Sequence, residues 1–321
     1  MSDTKQQKAL FLKSKHGQFA IGLNSIPKPG KDEVLIKVYS AALNPVDYKV
    51  QELGGFVEKY PAVLGEDIAG IIDEVGEGVL NFAKGDRIPD NSGYDDAATI
   101  PLALDTASTG LYSVGKYGFG LTPPWVKDGI GMYSGTPIVI LGGASAVGSY
   151  VIQLARLSGF SPIITTASPA HEVYLKSLGA THVLNRHLSA DVVKAAIDGF
   201  TKNPIKYVYD AISLPETQRV GWSILDAKGC LVLTLPASVK EDEGKERQVI
   251  VTFGSPHAKE NKELCKGSWA ILSQWLEAGT IKPLRYEVLP DGLEGIIGGL
   301  EQMKAAKVSG KKLVAHPQDT K

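Results

Sequence analysis

The stretch VILGGASAVGSY, residues 139–150, decides how this chain is read. As Gly143-x-Ser145-x-x-Gly148 it is one residue from the glycine fingerprint of a turn that holds a dinucleotide. As Gly143-Ala144-Ser145-Ala146-Val147 it is one residue from the Gly-x-Ser-x-Gly elbow that presents a nucleophilic serine. The elbow needs small residues on both sides of the serine, and Val147 fills the second glycine position. It also needs an acid and a histidine at later strand ends; His171, His182, His187, His257 and His316 follow Ser145, none in a distinctive setting. The dinucleotide turn needs a strand before it and a helix after it. PIVILG (137–142) supplies the strand, and SYVIQLARLSG (149–159) supplies the helix, with Val147, Val151, Leu154 and Ala155 at helical spacing for one buried stripe. Backbone N–H groups over Gly143, Ala144, Ser145, Ala146, Val147 and Gly148, with the helix dipole behind them, would then hold a pyrophosphate. Gly148 lets the helix pack closely on the sheet, and the Ser145 hydroxyl can donate to a phosphate oxygen.

Strand-like runs and helical patterns alternate outward from this turn. SPIITTAS (161–168), THVL (181–184), KYVYDAI (206–212), GCLVLTL (229–235) and RQVIVTFG (247–254) follow PIVILG, most of them separated by helical stretches. Six strands joined by helices imply parallel βαβ units, hence a doubly wound parallel sheet. In such a sheet an Asp or Glu about 20 residues past the fingerprint accepts from the ribose 2′-OH of NAD. Here the second strand ends in Thr165, Thr166, Ala167 and Ser168, with no acid before Glu172. Ser168, with His171, Lys176 and Arg186 nearby, could hold the 2′-phosphate of NADP instead, which favours NADP(H) as cofactor. The first third is different: DEVLIKVYSAALN (32–44), DIAGIIDEVGEGVLNF (67–82) and KGDRI (84–88) are short β-branched runs broken by glycine, the pattern of a small, strongly bent β domain. After Gly254 come a helix (259–279), a linker (282–290), a helix (291–307) and a final strand (311–317). The segment 115–135, dense in glycine, proline and aromatics, reads equally as a cleft-covering loop or an interdomain connection. The charge run 239–247 reads as a solvated loop.

At 321 residues the chain exceeds the roughly 250–300 at which single cores stop growing, so two domains are expected. A net charge of −1 gives no long-range pull toward nucleic acid or an anionic membrane, which leaves a small-molecule substrate as the expected partner. Cys230 and Cys265 are too few and too far apart for a disulfide framework or a four-cysteine zinc lobe. The polar, lysine-rich start and the lack of any run near 18 apolar residues suggest a cytoplasmic protein.

Taken in order, NPVDYK (44–49), YPAVLGEDIAGIIDEVGEGV (60–79), FAKGDRI (82–88), AATIPLALDTASTGLY (97–112), LGGASAVGSYVIQLARLSG (141–159) and KVSGKKLV (307–314) resemble the zinc-independent medium-chain dehydrogenase/reductase superfamily. The branch they are most similar to is that of fungal quinone-oxidoreductase-like proteins and trans-acting enoyl reductases. The resemblance implies an α/β architecture: a GroES-like β-rich catalytic domain from residues 1–113 and 259–321, and a Rossmann NADP-binding domain with a six-stranded sheet over 114–258. It places Asn44, Lys49 and Thr106 at the nicotinamide and substrate pocket, and Phe253 and Gly254 where backbone holds the carboxamide. Asn44 and Thr106 can donate to a developing oxyanion, and Lys49 or Tyr48 can supply a proton. Zinc-binding members carry a cysteine near Asn44 and Gly-His-Glu where this chain has Gly65-Glu66-Asp67, so no metal is expected and Glu66 and Asp67 read as structural anchors. In relatives a further strand-bearing segment follows the Gly-Asp turn; here Arg87-Ile88 runs directly into Pro89-Asp90-Asn91, so the catalytic domain is expected to be shortened near 87–89.

These features imply an NADPH-dependent reductase that transfers hydride to an activated C=C bond (enone or enoyl thioester) or to a quinone, without metal. Polarising a simple alcohol or ketone is a task for a metal, whereas an activated alkene already carries its electron sink. The competing reading is a catalytically weak or inactive NADP(H)-binding protein acting as sensor or structural partner, suggested by the shortened domain. A polyketide synthase partner falls within the first reading but leaves no mark in the sequence. Monomer and homodimer stay open.

Overall fold

The computed structural model describes residues 5–88, 93–240 and 246–321. The chain divides into two units, one running through Pro101 and resuming at Pro283, the other spanning Leu102–Lys282.

The first unit opens with β1 (Gln6–Leu12), β2 (Phe19–Ser25), β3 (Val34–Ala42), α1 (Pro45–Leu53), β4 (Ala62–Val63), β5 (Asp67–Val75), β6 (Arg87–Ile88) and α2 (Tyr94–Ala98). The second unit contributes α3 (Pro101–Tyr112, whose first residue belongs to the first unit), β7 (Ile138–Leu141), α4 (Ala146–Leu157), β8 (Ile163–Ala167), α5 (Glu172–Leu178), β9 (His182–Asn185), α6 (Ala190–Phe200), β10 (Tyr207–Asp210), α7 (Pro215–Ile224), β11 (Cys230–Leu233), β12 (Gln248–Val251) and α8 (Lys262–Glu277). The chain then completes the first unit with β13 (Tyr286–Val288), α9 (Leu293–Lys304) and β14 (Lys312–Ala315).

The first unit holds two sheets, a three-stranded one in the order β2-β1-β4 and a five-stranded one in the order β13-β14-β3-β5-β6. β3 and β5 pair antiparallel over almost their full length, and register shifts between Leu35 and Ile36 and between Val38 and Ser40 bend the ribbon. This is the bent, β-rich domain expected from the glycine-broken runs. β13 falls in the stretch read as a linker; it is only three residues long and exposed throughout, too short for its Tyr-Glu-Val alternation to stand out between Pro283 and Pro290.

The second unit is a parallel sheet in the order β12-β11-β10-β7-β8-β9. β7 and β8, and all but the first residue of β10 and β11, are buried, the composition of strands covered on both faces by crossover helices. The chain moves outward from β7 through β8 to β9, then returns to lay β10 on the other side of β7, so the switch point lies at the carboxyl ends of β7 and β10. In open α/β sheets that crevice is where ligands bind.

The compact units divide at Pro101/Leu102 and Lys282/Pro283, beside the domain boundaries expected at 113/114 and 258/259. Side-chain anchors explain why α3 and α8 go with the sheet. Tyr209 donates to the Thr106 carbonyl at 2.8 Å, Trp269 donates its indole N–H to Asp105 at 3.0 Å, and the Tyr112 and Ser158 hydroxyls share a hydrogen bond of 2.7 Å. Gln153 closes the far end by bonding both the N–H and the carbonyl of Lys282. The segment 115–135 is packed on this same unit: Phe119 and Leu121 donate backbone N–H groups to α3, Tyr133 donates to Ser158, and the Tyr133 ring stacks on Phe160. It is a tied-down connection. The charge run 239–247 is described only at its ends, with Lys240 short of the gap and Glu246 paired to Lys228 in solvent beyond it; residues 241–245 lie outside the described residues.

Because the Tyr112 hydroxyl is buried and bonds both Ser158 and the Leu154 carbonyl, Tyr112→Phe is expected to lower unfolding free energy by about 1 kcal/mol. The denaturant midpoint at unchanged slope is the measurement; an unshifted midpoint would mean that α3 is not anchored to α4 through this hydroxyl.

Candidate active site

The 139–150 stretch folds as strand, turn and helix. Gly142 takes φ 80°, and its N–H and that of Gly143 donate to Thr166, one to the hydroxyl and one to the carbonyl. Thr165 donates its hydroxyl to the Ile140 carbonyl at 2.7 Å. Both threonines of β8 therefore buttress the turn, which leaves Ser168 as the first side chain beyond the strand. Ser145 is the N-cap of α4: its Oγ accepts from the Gly148 N–H at 3.0 Å, which leaves the hydroxyl proton for an anion. At φ −72° and ψ 161° Ser145 sits in ordinary extended backbone, without the strain of a nucleophile elbow. The Ala146 and Val147 N–H groups lie in the first helical turn, where no acceptor exists within the helix. A Cβ on Gly148 would come within 2.3 Å of the Gly142 carbonyl oxygen, and one on Gly143 within 2.1 Å of the Thr165 hydroxyl. Gly143 opens the Gly-x-Ser-x-x-Gly match, but it is the preceding Gly142 whose positive φ makes the bend, and the doubled glycine is its mark in the sequence.

The strand register brings two of the proposed 2′-phosphate residues together. Ala167 pairs with Asn185, and the Arg186 N–H donates to the Ala167 carbonyl at 3.0 Å, so Arg186 leaves β9 beside the point where Ser168 leaves β8. His171 ends the short turn that begins after Ser168, its N–H donating to the Ser168 carbonyl. Lys176, also expected at the 2′-phosphate, lies one helical turn beyond Glu172 and forms an ion pair with it at 2.8 Å in solvent. Its charge is matched locally.

Phe253 and Gly254 follow β12. A Cβ on Gly254 would meet Thr106 Oγ1 at 2.5 Å and Cα at 2.6 Å, so these two expected site residues lie in contact. The Thr106 hydroxyl donates to the Leu102 carbonyl at 2.7 Å, which commits its proton to the helix and removes it as an oxyanion donor in this arrangement. Asn261, buried and absent from the sequence reading, holds the stretch by donating to the Phe253 carbonyl at 2.6 Å and the Ser255 carbonyl at 3.1 Å. No local pattern marks such a residue.

Asn44, Tyr48 and Lys49 belong to the first unit and share α1. Asn44 is its N-cap, with its backbone N–H donating to Asp47 Oδ2 at 2.8 Å. The Asn44 side-chain amide donates to Asp67 Oδ2 at 2.9 Å, and the Lys312 ammonium bonds the same oxygen. All four residues are buried, and Asn44 is only 2% exposed. Asn44 thus orients α1 rather than reaching outward as an oxyanion donor, and Asp67 is the anchor expected of it; Glu66 is exposed. Burial raises the Asp47 carboxyl to about 6, against the Asn44 N–H bond that favours the charged form, with repulsion from Asp67 and Glu66 adding to the rise. Asp47 and Asp67 also line a cavity of about 230 Å³ with Leu10, Phe19, Leu43 and Leu300. Tyr48 packs on the Leu43, Leu289, Leu300 and Leu313 cluster, and burial raises its phenol, making it a weaker acid. Lys49 is half-buried; desolvation lowers its ammonium, opposed by Glu52, making it a stronger acid than an ordinary lysine. Cys265 is buried, and burial with the Asp105 charge pushes its thiol up to about 12. Among the described residues no group of three or more His, Cys, Asp or Glu side chains is placed to hold a metal, and no helix is long and apolar enough to cross a membrane.

A doubly wound sheet with a capped glycine turn at its switch point defines a dinucleotide-binding protein. The family described as Alcohol dehydrogenase GroES-like domain matches residues 30–121, and the one described as Zinc-binding dehydrogenase matches residues 146–258. The chain is 30% identical to Trans-enoyl reductase eqxC of Fusarium heterosporum over 97% of this chain and 98% of that protein. With Trans-enoyl reductase TOXD of Cochliobolus carbonum it is 33% identical over 66% of this chain and 78% of the relative. Among solved structures it resembles a putative zinc-dependent alcohol dehydrogenase from Rhizobium etli CFN 42 (TM-score 0.80, 20% identity, 97% and 98% of the two chains) and CurK enoyl reductase (TM-score 0.76, 21% identity, 97% and 99%). The chain belongs to the medium-chain dehydrogenase/reductase superfamily, in its enoyl reductase branch, whose members are nicotinamide-dependent reductases. The alignment with eqxC runs over 364 positions, more than the 321 residues of this chain, so that relative holds residues with no counterpart here. Pro89, Asp90 and Asn91, where the shortening was placed, lie outside the described residues.

Two outcomes follow from this geometry. Gly148→Ala is expected to weaken nicotinamide-cofactor binding at least ten-fold in a fluorescence titration, because the methyl group forces α4 off the turn; unchanged affinity would show that the turn does not carry the phosphates. Asp47 has a folded pKa of about 6 against an ordinary 3.8, so its penalty is absent below pH 4, grows as pH rises and is complete above 6, at up to about 3 kcal/mol. The Tm of Asp47→Asn minus that of the parent is therefore expected to increase between pH 4 and 6.5 and then level off; a pH-independent difference would mean that Asp47 is not the titrating group.

Proposed function

We propose that the protein is an NADPH-dependent reductase of activated C=C bonds, in enones or enoyl thioesters, or of quinones, and that it works without a metal. The observation that carries the cofactor choice is the joint exit of Ser168 and Arg186 from neighbouring strand ends, with no acid at the end of β8. A serine hydroxyl and a guanidinium there suit a 2′-phosphate and give a 2′-hydroxyl no acceptor carboxylate. The enoyl reductase names of the relatives support the alkene. The site chemistry agrees with it, since Asn44 stands where zinc-binding members have a ligand and is engaged with Asp67.

When bound, the nicotinamide would supply hydride to the β-carbon of the activated alkene. Ser145 and the Ala146 and Val147 N–H groups hold the pyrophosphate through hydrogen bonds and the positive end of α4. Ser168 and Arg186 hold the 2′-phosphate. Lys49 is the proton donor in preference to Tyr48, because burial moves the ammonium toward release and the phenol away from it. A polyketide synthase delivering a carrier-bound enoyl chain lies within this reading.

NADPH is expected to bind at least ten-fold more tightly than NADH, and Arg186→Ala to remove most of that difference while leaving NADH unchanged. Equal affinities in the parent would discard NADP specificity. Steady NADPH oxidation is expected with at least one of crotonyl thioester, cyclohexenone or a benzoquinone; no turnover with any of them would favour a cofactor-binding protein without catalysis. Lys49→Met is expected to lower kcat by about 10²-fold at constant NADPH affinity. In the parent, kcat/KM should fall as pH rises through a value below the ordinary 10.5 of lysine, and that limb should vanish in the variant.

A further inference from the structure

We propose that Gln218 is a positioning residue for the nicotinamide half of the cofactor, acting through the two loops that follow β10 and β11; this rests on the cofactor reading above. The sheet order assigns the ends of a dinucleotide by geometry. With the 2′-phosphate at the exits of β8 and β9 and the pyrophosphate at the turn after β7, the remaining half extends across the exits of β10 and β11 toward Phe253 and Gly254 after β12. Whatever sets the shape of the loops at β10 and β11 therefore sets the floor under the nicotinamide.

Gln218 lies one turn into α7 and is 1% exposed. Its Nε2 donates to the Ser213 carbonyl at 2.8 Å, in the loop after β10, and to the Pro236 carbonyl at 3.0 Å, in the loop after β11. Its Oε1 accepts from the Ser238 N–H at 2.7 Å and the Ser238 hydroxyl at 2.9 Å. Both donors and the acceptor oxygen are thus used, and every bond ends on one of the two loops. A second tie runs parallel to it. The Ser213 hydroxyl donates to the Asp210 carbonyl at 2.6 Å and accepts from the Thr234 N–H at 2.8 Å. Ser213 holds φ 56°, a left-handed conformation unusual for a residue with a Cβ. Strained backbone of this kind persists where its surroundings over-determine it, and it clusters where a ligand is gripped. Gln218 and the Ser213 hydroxyl are those surroundings. A glutamine chosen only to fill space in a helix would need none of these four bonds aimed at two strand exits.

The test separates the two halves of the cofactor. Binding of NADPH and of 2′-phospho-ADP-ribose, which lacks the nicotinamide, is measured by titration calorimetry for the parent chain of 321 residues, Gln218→Glu and Ser213→Gly. Gln218→Glu keeps the shape and removes both Nε2 donors. Ser213→Gly suits φ 56° and removes the hydroxyl tie, so it is expected to fold even where the first variant does not. The expected result is a loss of NADPH affinity of ten-fold or more in either variant, with 2′-phospho-ADP-ribose within two-fold of the parent, a raised KM for NADPH and a lowered kcat. Equal losses for both ligands, or a lowered Tm with neither affinity changed, would reduce Gln218 to a structural residue and overturn the proposal. If the parent bound neither ligand, the cofactor reading itself would fall and this inference with it.

Discussion

The contact between Gly148 and the Gly142 carbonyl is the constraint on which the rest of the second unit depends. A single methyl group at Gly148 would lie 2.3 Å from that oxygen, so α4 reaches the turn only because the side chain is absent. That approach brings the Gly148 N–H onto the Ser145 hydroxyl and leaves the Ala146 and Val147 N–H groups at the mouth of the turn. The two threonines of β8 hold the other side of the same turn. Two backbone-level fits, helix to turn and turn to neighbouring strand, thus leave a strand end with free N–H groups and a helix N-terminus that suit an anion without a cationic side chain.

The first unit solves a different problem, which is to hold α1 by its N-terminus. A carboxylate and an ammonium as deeply buried as Asp67 and Lys312 each lose hydration worth several kcal/mol, and their attraction repays this only with further hydrogen bonds. Asn44 supplies one of them. The arrangement is therefore poor as a source of net stability and good as a register: removing either Asp67 or Lys312 leaves the other charge buried and unmatched, and Asn44 ties the start of α1, with Tyr48 and Lys49, to that pair. Asp47, close by and above its ordinary pKa, shows what an acid in that place suffers without an ammonium of its own.

How much of this was legible in the sequence follows the range of the interactions. The strand, turn and helix at 139–150 and the absence of an acid after β8 were readable because each rests on residues within one βαβ unit. The Lys176 to Glu172 pair was equally readable from its spacing of four. The division into compact units was not, because it depends on Tyr209 bonding Thr106 and Trp269 bonding Asp105, more than a hundred residues apart. Nor was the role of Asn44, since the ammonium that shares its acceptor comes from Lys312 at the other end of the chain. β13 alternates Tyr-Glu-Val, but over three residues between two prolines that signal is too short to tell a strand from a linker.

Three buried amides, Asn44, Asn261 and Gln218, occupy equivalent roles: the first holds the start of α1, the second the stretch after β12, the third the loops after β10 and β11. A primary amide offers two donors and a two-lone-pair acceptor on a neutral, flat group, so it can join carbonyls and N–H groups from separate segments without bringing a charge out of water. An acid or a lysine at Gln218 would satisfy one kind of backbone group and leave the other unpaired, or demand a counter-charge where the cofactor's own charges are to be read. Loops that must keep a fixed shape around an anionic ligand are better held by neutral groups, because these neither attract nor repel it. In the cofactor reading proposed above, charge recognition would then fall to Arg186 beside Ser168, and specificity would be concentrated there.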